Sequence, residues 1–143
     1  MLVELTSSRI NKLFKRLASL DEKEYFHPHK FDRETIKNLQ NELGNHYYLY
    51  FDESDRFVGY GMLRTFNKYE IPTLGCVIWK EYRGMKHGKK IVSELIEKAK
   101  ELGYKKIRLS VYPGNVVALH IYQSFGFHNI GTIGKQLFME VDL

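Results

Sequence analysis

Apolar residues fall into two kinds of spacing along this chain. From Leu74 to Trp79 they run almost unbroken, as in a buried strand. From Arg83 to Lys90 they give way to the basic, glycine-bearing stretch RGMKHGKK. Ile91, Val92, Leu95, Ile96, Ala99 and Leu102 then recur at helical spacing on one face. Gly103 stands where a left-handed cap would end that helix. Ile107, Leu109 and Val111 alternate with Arg108, Ser110 and Tyr112, which predicts a half-buried strand.

The flanking segments read by the same rules. Leu2 to Leu5 is a short strand. Thr6, Ser7 or Ser8 caps a helix reaching about Leu20, with Ile10, Leu13, Phe14, Leu17 and Leu20 on one side. A polar loop runs to Phe31, and Asp32 opens a second helix through Leu43 that Gly44-Asn45 closes. Tyr47–Phe51 and Phe57–Thr65 flank the turn DESDR and predict a hairpin. After a turn at Asn67–Glu70, a strand is expected over Ile71–Trp79, interrupted by Pro72 and Gly75. Gly75 suits a bulge or a close approach. Strands around Asn129–Thr132 and Leu137–Val141 close the chain. The expected fold is α+β, one domain over residues 1–143, with a mixed sheet and helices on both faces.

Composition narrows the class. No run of about 18 apolar residues exists to span a membrane, and MLVELTSSRINK has no signal-peptide core. A single cysteine excludes an internal disulfide, so a cytoplasmic protein is expected. The net charge is +5, unevenly placed. Residues 80–108 carry ten Lys/Arg against four Glu, while the remainder carries twelve basic and thirteen acidic residues. The excess therefore surrounds the glycine-bearing turn. A helix that opens after a strand presents free N–H groups and a positive dipole end, a ready anion site. The turn is neither a P-loop nor G-x-G-x-x-G. An ordinary strand–helix turn with solvated lysines reads equally well from these residues alone. Nucleic acid is the other polyanion to weigh, but no helix-turn-helix, zinc-finger or RNP motif is evident.

Two linked motifs sharpen the choice. Arg83 and Gly88 take the first and last positions of Q/R-x-x-G-x-G/A, with Lys86 at the middle glycine. Asn115, Ala118, Tyr122, Gly126 and Phe127 fit N-x-x-A-x-x-x-Y-x-x-x-G-F in order and spacing. Over residues 72–130 the chain resembles the GNAT family of N-acetyltransferases. The resemblance implies an α/β sandwich whose sheet splays at Ile71–Trp79. It implies acetyl-CoA as donor and a primary amine as acceptor, that of a small molecule or amino sugar. It brings acetyl-CoA against the backbone of Cys76, Val77 and Ile78 and against the turn Arg83, Gly84, Met85, Lys86, His87, Gly88 and Lys89. It makes Tyr122 the general acid for the leaving thiolate and sets Asn115 on the cofactor arm.

Each role has a plainer reading beside it. Tyr122 also fits a core aromatic next to Phe125, and Asn115 a plain N-cap after Pro113-Gly114. Tyr122 follows Asn115 by seven residues, which would put both on nearly one helical side. For the base, the glutamate positions of relatives fall on Ser110 and Pro72, leaving Glu70 as the candidate, against a solvated turn carboxylate, a water chain or an already neutral amine. By resemblance the loop carrying Tyr25, His27 and His29 borders the acceptor pocket; a surface loop without a role fits it as well. The six histidines and one cysteine make no metal-ligand spacing. Cys76 reads as a buried strand residue. A non-catalytic acyl-CoA-binding module and a peptide N-acetyltransferase are the alternative functions, with a homodimer one option for assembly.

Overall fold

The computed structural model describes residues 1–5, 9, 16, 45–65 and 71–143. The helices expected over residues 6–20 and 32–43 fall outside that set. Among the described residues there are seven strands: β1 (Leu2–Glu4), β2 (Asn45–Phe51), β3 (Phe57–Arg64), β4 (Thr73–Ile78), β5 (Lys106–Val111), β6 (His128–Ile133) and β7 (Gln136–Asp142). Among the same described residues two complete α-helices, α1 (His87–Glu101) and α2 (Val116–Ser124), join the later strands, and a 3-10 turn spans Lys80–Tyr82.

The strands form one sheet in the order β1-β2-β3-β4-β5-β7-β6. Every neighbouring pair is antiparallel except β4 and β5. Those two meet in parallel at a single register pair, Thr73 with Arg108, beside the bond from Arg108 N–H to Pro72 O at 3.0 Å. Beyond it they diverge, so the mixed sheet is splayed. The strand expected from Ile71 begins only at Thr73. Pro72 has no N–H to offer β3, although its carbonyl serves β5. Gly75 makes no bulge: the β3–β4 register is regular, and a Cβ there would lie 2.7 Å from Met62 Cε. Its role is the close approach.

Alternation along β2 divides the apolar residues between two layers. Tyr48 and Tyr50 join Leu63, Leu74, Ile91, Leu95, Ile107 and Leu109 under α1 and α2. Tyr47 and Leu49 join Tyr60, Met62, Val77 and Trp79 on the opposite face. The 3.6-residue spacing of Ile91, Val92, Leu95 and Ala99 buries one stripe of α1 on the sheet. Ile91 and Leu95 are fully buried, each worth about 2 kcal/mol. The helix ends in reciprocal cap bonds, Tyr104 N–H to Ala99 O and Gly103 N–H to Lys100 O, both 3.0 Å. Gly103 adopts φ 87°, the left-handed geometry this cap requires.

Candidate active site

Three pieces of backbone converge on the gap between β4 and β5. The first is the edge of β4. Trp79 N–H donates to Val58 O at 2.9 Å, and Pro72 O accepts from Arg108 on the other side. Strand alternation then turns the peptide groups of odd-numbered β4 residues toward β3 and those of even-numbered ones toward β5. The parallel bridge of Thr73 with Arg108 takes up the Leu74 N–H, which bonds the Arg108 carbonyl, so the C=O of Leu74, both peptide groups of Cys76 and the N–H of Ile78 face the gap. The Ile78 carbonyl accepts from Arg83 Nε at 3.0 Å. Val77, grouped with Cys76 and Ile78 by the resemblance, turns its peptide to Tyr60 on β3 by the same alternation. Leu74 adds its carbonyl to that edge.

The second piece is the basic turn. Helix α1 opens at His87, inside the stretch expected to be turn. Its first internal bond is Lys90 N–H to Lys86 O, 3.3 Å, so the N–H groups of His87, Gly88 and Lys89 have no partner within the helix. They meet the positive dipole end. Gly84 and Lys86 both take left-handed backbone, φ 79° and 66°. The usual middle glycine thus has a conformational reason, and the lysine that replaces it bears a cost of about 1 kcal/mol. Arg83, Gly84, Met85, Lys86 and Lys89 are exposed. The His87 side chain is buried instead, edge-on to the Tyr50 ring at 6.4 Å, so it turns inward and only its backbone is at the helix mouth. A Cβ on Gly88 would lie 2.9 Å from Ile121 Cδ1, so this glycine also lets α1 sit against α2.

The third piece is α2, whose sequence motif has a local physical basis. Asn115 Oδ1 accepts from Ala118 N–H at 3.5 Å and caps the helix from outside it, with φ −84° and ψ 70°. The Asn115 carbonyl also accepts the first helical bond, from Leu119 N–H at 3.0 Å, so Asn115 is the cap of the helix that carries Tyr122. At the other end Gly126 takes φ 91°. Gly126 N–H then bonds Gln123 O at 3.0 Å and Phe127 N–H bonds Tyr122 O at 3.1 Å. The Phe127 ring packs edge-on to Tyr122 at 5.8 Å. Asn, Ala, Gly and Phe of the motif thus start the helix, stop it and clamp Tyr122.

Tyr122 is buried, and its hydroxyl lies 3.7 Å from Cys76 Sγ. Burial, with Cys76 adding to it, holds the phenol well above its usual range. Cys76 is partly exposed as a residue, yet desolvation pushes its thiol up to about 11. At neutral pH both groups keep their protons, so the gap is flanked by a phenol able to donate and by uncommitted peptide N–H groups. Nothing in the spacing of the chain foretold the contact between Cys76 and Tyr122.

Glu70, Tyr25, His27 and His29 lie outside the described residues. Among the described residues no group of three or more His, Cys, Asp or Glu side chains could hold a metal ion. No helix there is long and apolar enough to cross a membrane. A cavity of about 760 Å³ lies beside α1, lined by Tyr50, Glu53, Arg56, His87, Lys90 and Glu94 among others, but by neither Cys76 nor Tyr122. Lys86 and Lys89 also line it, so it borders the basic turn.

Known proteins resemble the chain in sequence and in fold. The Acetyltransferase (GNAT) family model matches residues 13–127. A probable spermine N(1)-acetyltransferase from Bacillus subtilis subsp. natto (strain BEST195) is 35% identical over 107 residues, 66% of this chain and 69% of that protein. The crystal structure of spermidine N-acetyltransferase from Vibrio cholerae, in complex with CoA and spermine, superposes with a TM-score of 0.83 at 17% identity, covering 99% of this chain and 94% of that one. A domain from Methanocaldococcus jannaschii DSM 2661 gives a TM-score of 0.82 at 19% identity, over 100% and 97% of the two chains. The structural likenesses show the fold, and the family match spans most of the sequence. The chain belongs to the GNAT family and is an acetyl-CoA-dependent N-acetyltransferase.

Proposed function

We propose that the acceptor is a polyamine of the spermine and spermidine class, acetylated at a primary amine. The observation that carries this reading is the 35% identity over 107 residues to a probable spermine N(1)-acetyltransferase. Charge placement supports it. The basic excess is confined to residues 80–108, and the rest of the chain, nearly neutral overall, would not repel a polycation. The single cysteine, a free thiol, fits a cytoplasmic setting.

The residues flanking the gap fit acetyl-CoA, which supplies an activated thioester. The free N–H groups of His87, Gly88 and Lys89 hold its phosphates at the start of α1, with the exposed Arg83 and Lys86 adding charge. The edge of β4 at Leu74, Cys76 and Ile78 takes the amide-bearing arm much as it would take another strand. The Cys76 N–H supports the carbonyl oxygen as charge builds there. Tyr122 gives its proton to the departing sulfur. The proton from the amine goes to Glu70 or to water. Tyr25, His27 and His29 remain candidates for the acceptor side, and Asn115 for the cofactor arm.

The test is release of free thiol from acetyl-CoA with spermine, spermidine, an amino sugar and a peptide N-terminus compared as acceptors. Spermine or spermidine should lead in kcat/KM by about tenfold or more. An amino sugar or peptide that outperforms both polyamines would overturn the polyamine assignment while leaving the family intact.

A further inference from the structure

A buried hydroxyl needs a partner, and the one available to Tyr122 among the described residues is unusual. It is the thiol of Cys76, at 3.7 Å. A thiol donates and accepts weakly. It can orient a hydroxyl and release it at little cost. The distance matters as well: it suits sulfur, whereas an oxygen partner would draw a hydroxyl in to about 2.7 Å. In the acetyl-transfer reaction the group that takes up the phenol's proton is itself a sulfur.

We propose that Cys76 is a positioning residue for the Tyr122 hydroxyl, holding it at sulfur-bonding distance over the β4 edge until the departing CoA sulfur takes the thiol's place. This rests on the reading of Tyr122 as proton donor. Strand geometry couples the two halves of the site at this one residue. The peptide of Cys76 turns into the gap, and its side chain turns toward the helices, into the layer that holds Tyr122. One β4 position therefore registers the carbonyl-binding N–H against the proton-donating phenol. Burial keeps the thiol neutral, so no thiolate competes for the phenol's proton.

The test is a double-mutant cycle on the full chain, with acetyl-CoA and the best amine of the panel. Cys76→Ala should lower kcat about five- to tenfold, the effect of one modest hydrogen bond, with KM for acetyl-CoA nearly unchanged. Cys76→Ser, which keeps a hydrogen-bonding group but draws the hydroxyl closer and holds it more tightly, should recover only part of that loss. In the Tyr122→Phe background Cys76→Ala should have no further effect on kcat. Equal losses in both backgrounds, an unchanged kcat, or a change in KM alone would each overturn the proposal. Full activity of Tyr122→Phe would remove the acid role on which it depends.

A second readout needs no amine and no cysteine variant. Cys76 is the chain's only cysteine, so a disulfide reagent reports on it alone. Loss of the phenol contact in Tyr122→Phe should raise the thiol's pKa further and slow labelling by about two- to fivefold at fixed pH. Equal labelling rates would refute the contact itself, even if every kinetic comparison failed for want of the right amine.

Discussion

Strand β5 has two neighbours, held in opposite ways. On one side β7 pairs with it at six register positions, from Lys106 with Asp142 to Val111 with Leu137. A charge cluster reinforces that seam. Glu140, 8% exposed, accepts from Arg108 Nε at 2.7 Å and from Lys106 Nζ at 3.1 Å. The Arg108 guanidinium also lies over the Phe138 ring, 5.8 Å from its centroid. On the other side β4 touches β5 at one pair and then leaves it. The closed seam lets the open one exist. A strand fixed along one edge and packed beneath helices needs no second partner, and the peptide groups left free on β4 are available to a ligand. Stability and function should therefore separate along the two edges of one strand.

The largest expected effect breaks function alone, on the open side. Tyr122→Phe removes a hydroxyl and keeps the ring against Phe127, so the fold should survive. Turnover should fall by about 10²- to 10⁴-fold, the general-acid range, with the lower end favoured because a thiolate leaves readily. Acetyl-CoA affinity should be little changed, since the interaction strengthens in the transition state. Steady-state kinetics with chemistry shown to be rate-limiting checks this, and unchanged kcat would return Tyr122 to a packing role.

A substitution on the far flank of the gap should damage both properties. A Cβ on Gly59 would lie 2.5 Å from the carbonyl oxygen of Val77, which is backbone and cannot swing aside. Gly59→Ala should therefore cost about 1–3 kcal/mol by forcing β3 and β4 apart. Denaturant unfolding measures that cost. The shift in β4 should also raise KM for acetyl-CoA; a stable variant with unchanged KM would show that β4 does not set the width of the gap.

The closed side should show the reverse of Tyr122. Glu140→Gln keeps the shape but removes the charge that Arg108 and Lys106 satisfy, and should cost about 1–2 kcal/mol while leaving kcat nearly intact. The pH dependence has a definite sign. The hydrogen bonds from Arg108 and Lys106 hold the Glu140 carboxyl below its usual value. Its contribution is complete above the ordinary carboxylate range and is lost as pH falls through the lowered, folded-state value. The acid limb of stability should be shallower in Glu140→Gln; a parallel limb would mean that the cluster adds nothing.

The smallest effect lies at the top of the gap. Lys86→Gly relieves a left-handed backbone at φ 66° and should stabilise the protein by about 0.5–1 kcal/mol. It removes one solvent-screened charge, so acetyl-CoA should bind only slightly less tightly. Thermal unfolding with and without acetyl-CoA separates the two effects.

Much of this was legible in the chain because its signals are local. The apolar stripe from Ile91 to Ala99, the cap at Gly103, the alternation from Ile107 to Val111 and the Asn115-to-Phe127 motif each depend on residues a few positions apart, and each is present as expected. Where local reasoning ran past its range it erred by a predictable amount. His87, Gly88 and Lys89 looked like turn because their neighbours are glycine and lysine, yet backbone bonding makes them the first turn of α1.

Other features belong to tertiary structure. The splay between β4 and β5 is a relation between strands with a whole helix between them, and no periodicity in either announces where their pairing stops. The inward turn of His87 follows from Tyr50 lying beneath it. The contact of Cys76 with Tyr122 joins residues 46 positions apart and depends on α2 lying across the sheet at one depth. Spacing along a chain records which side of an element a residue occupies, because backbone geometry repeats. It does not record how far two elements stand apart, because that distance is set by all the side chains packed between them.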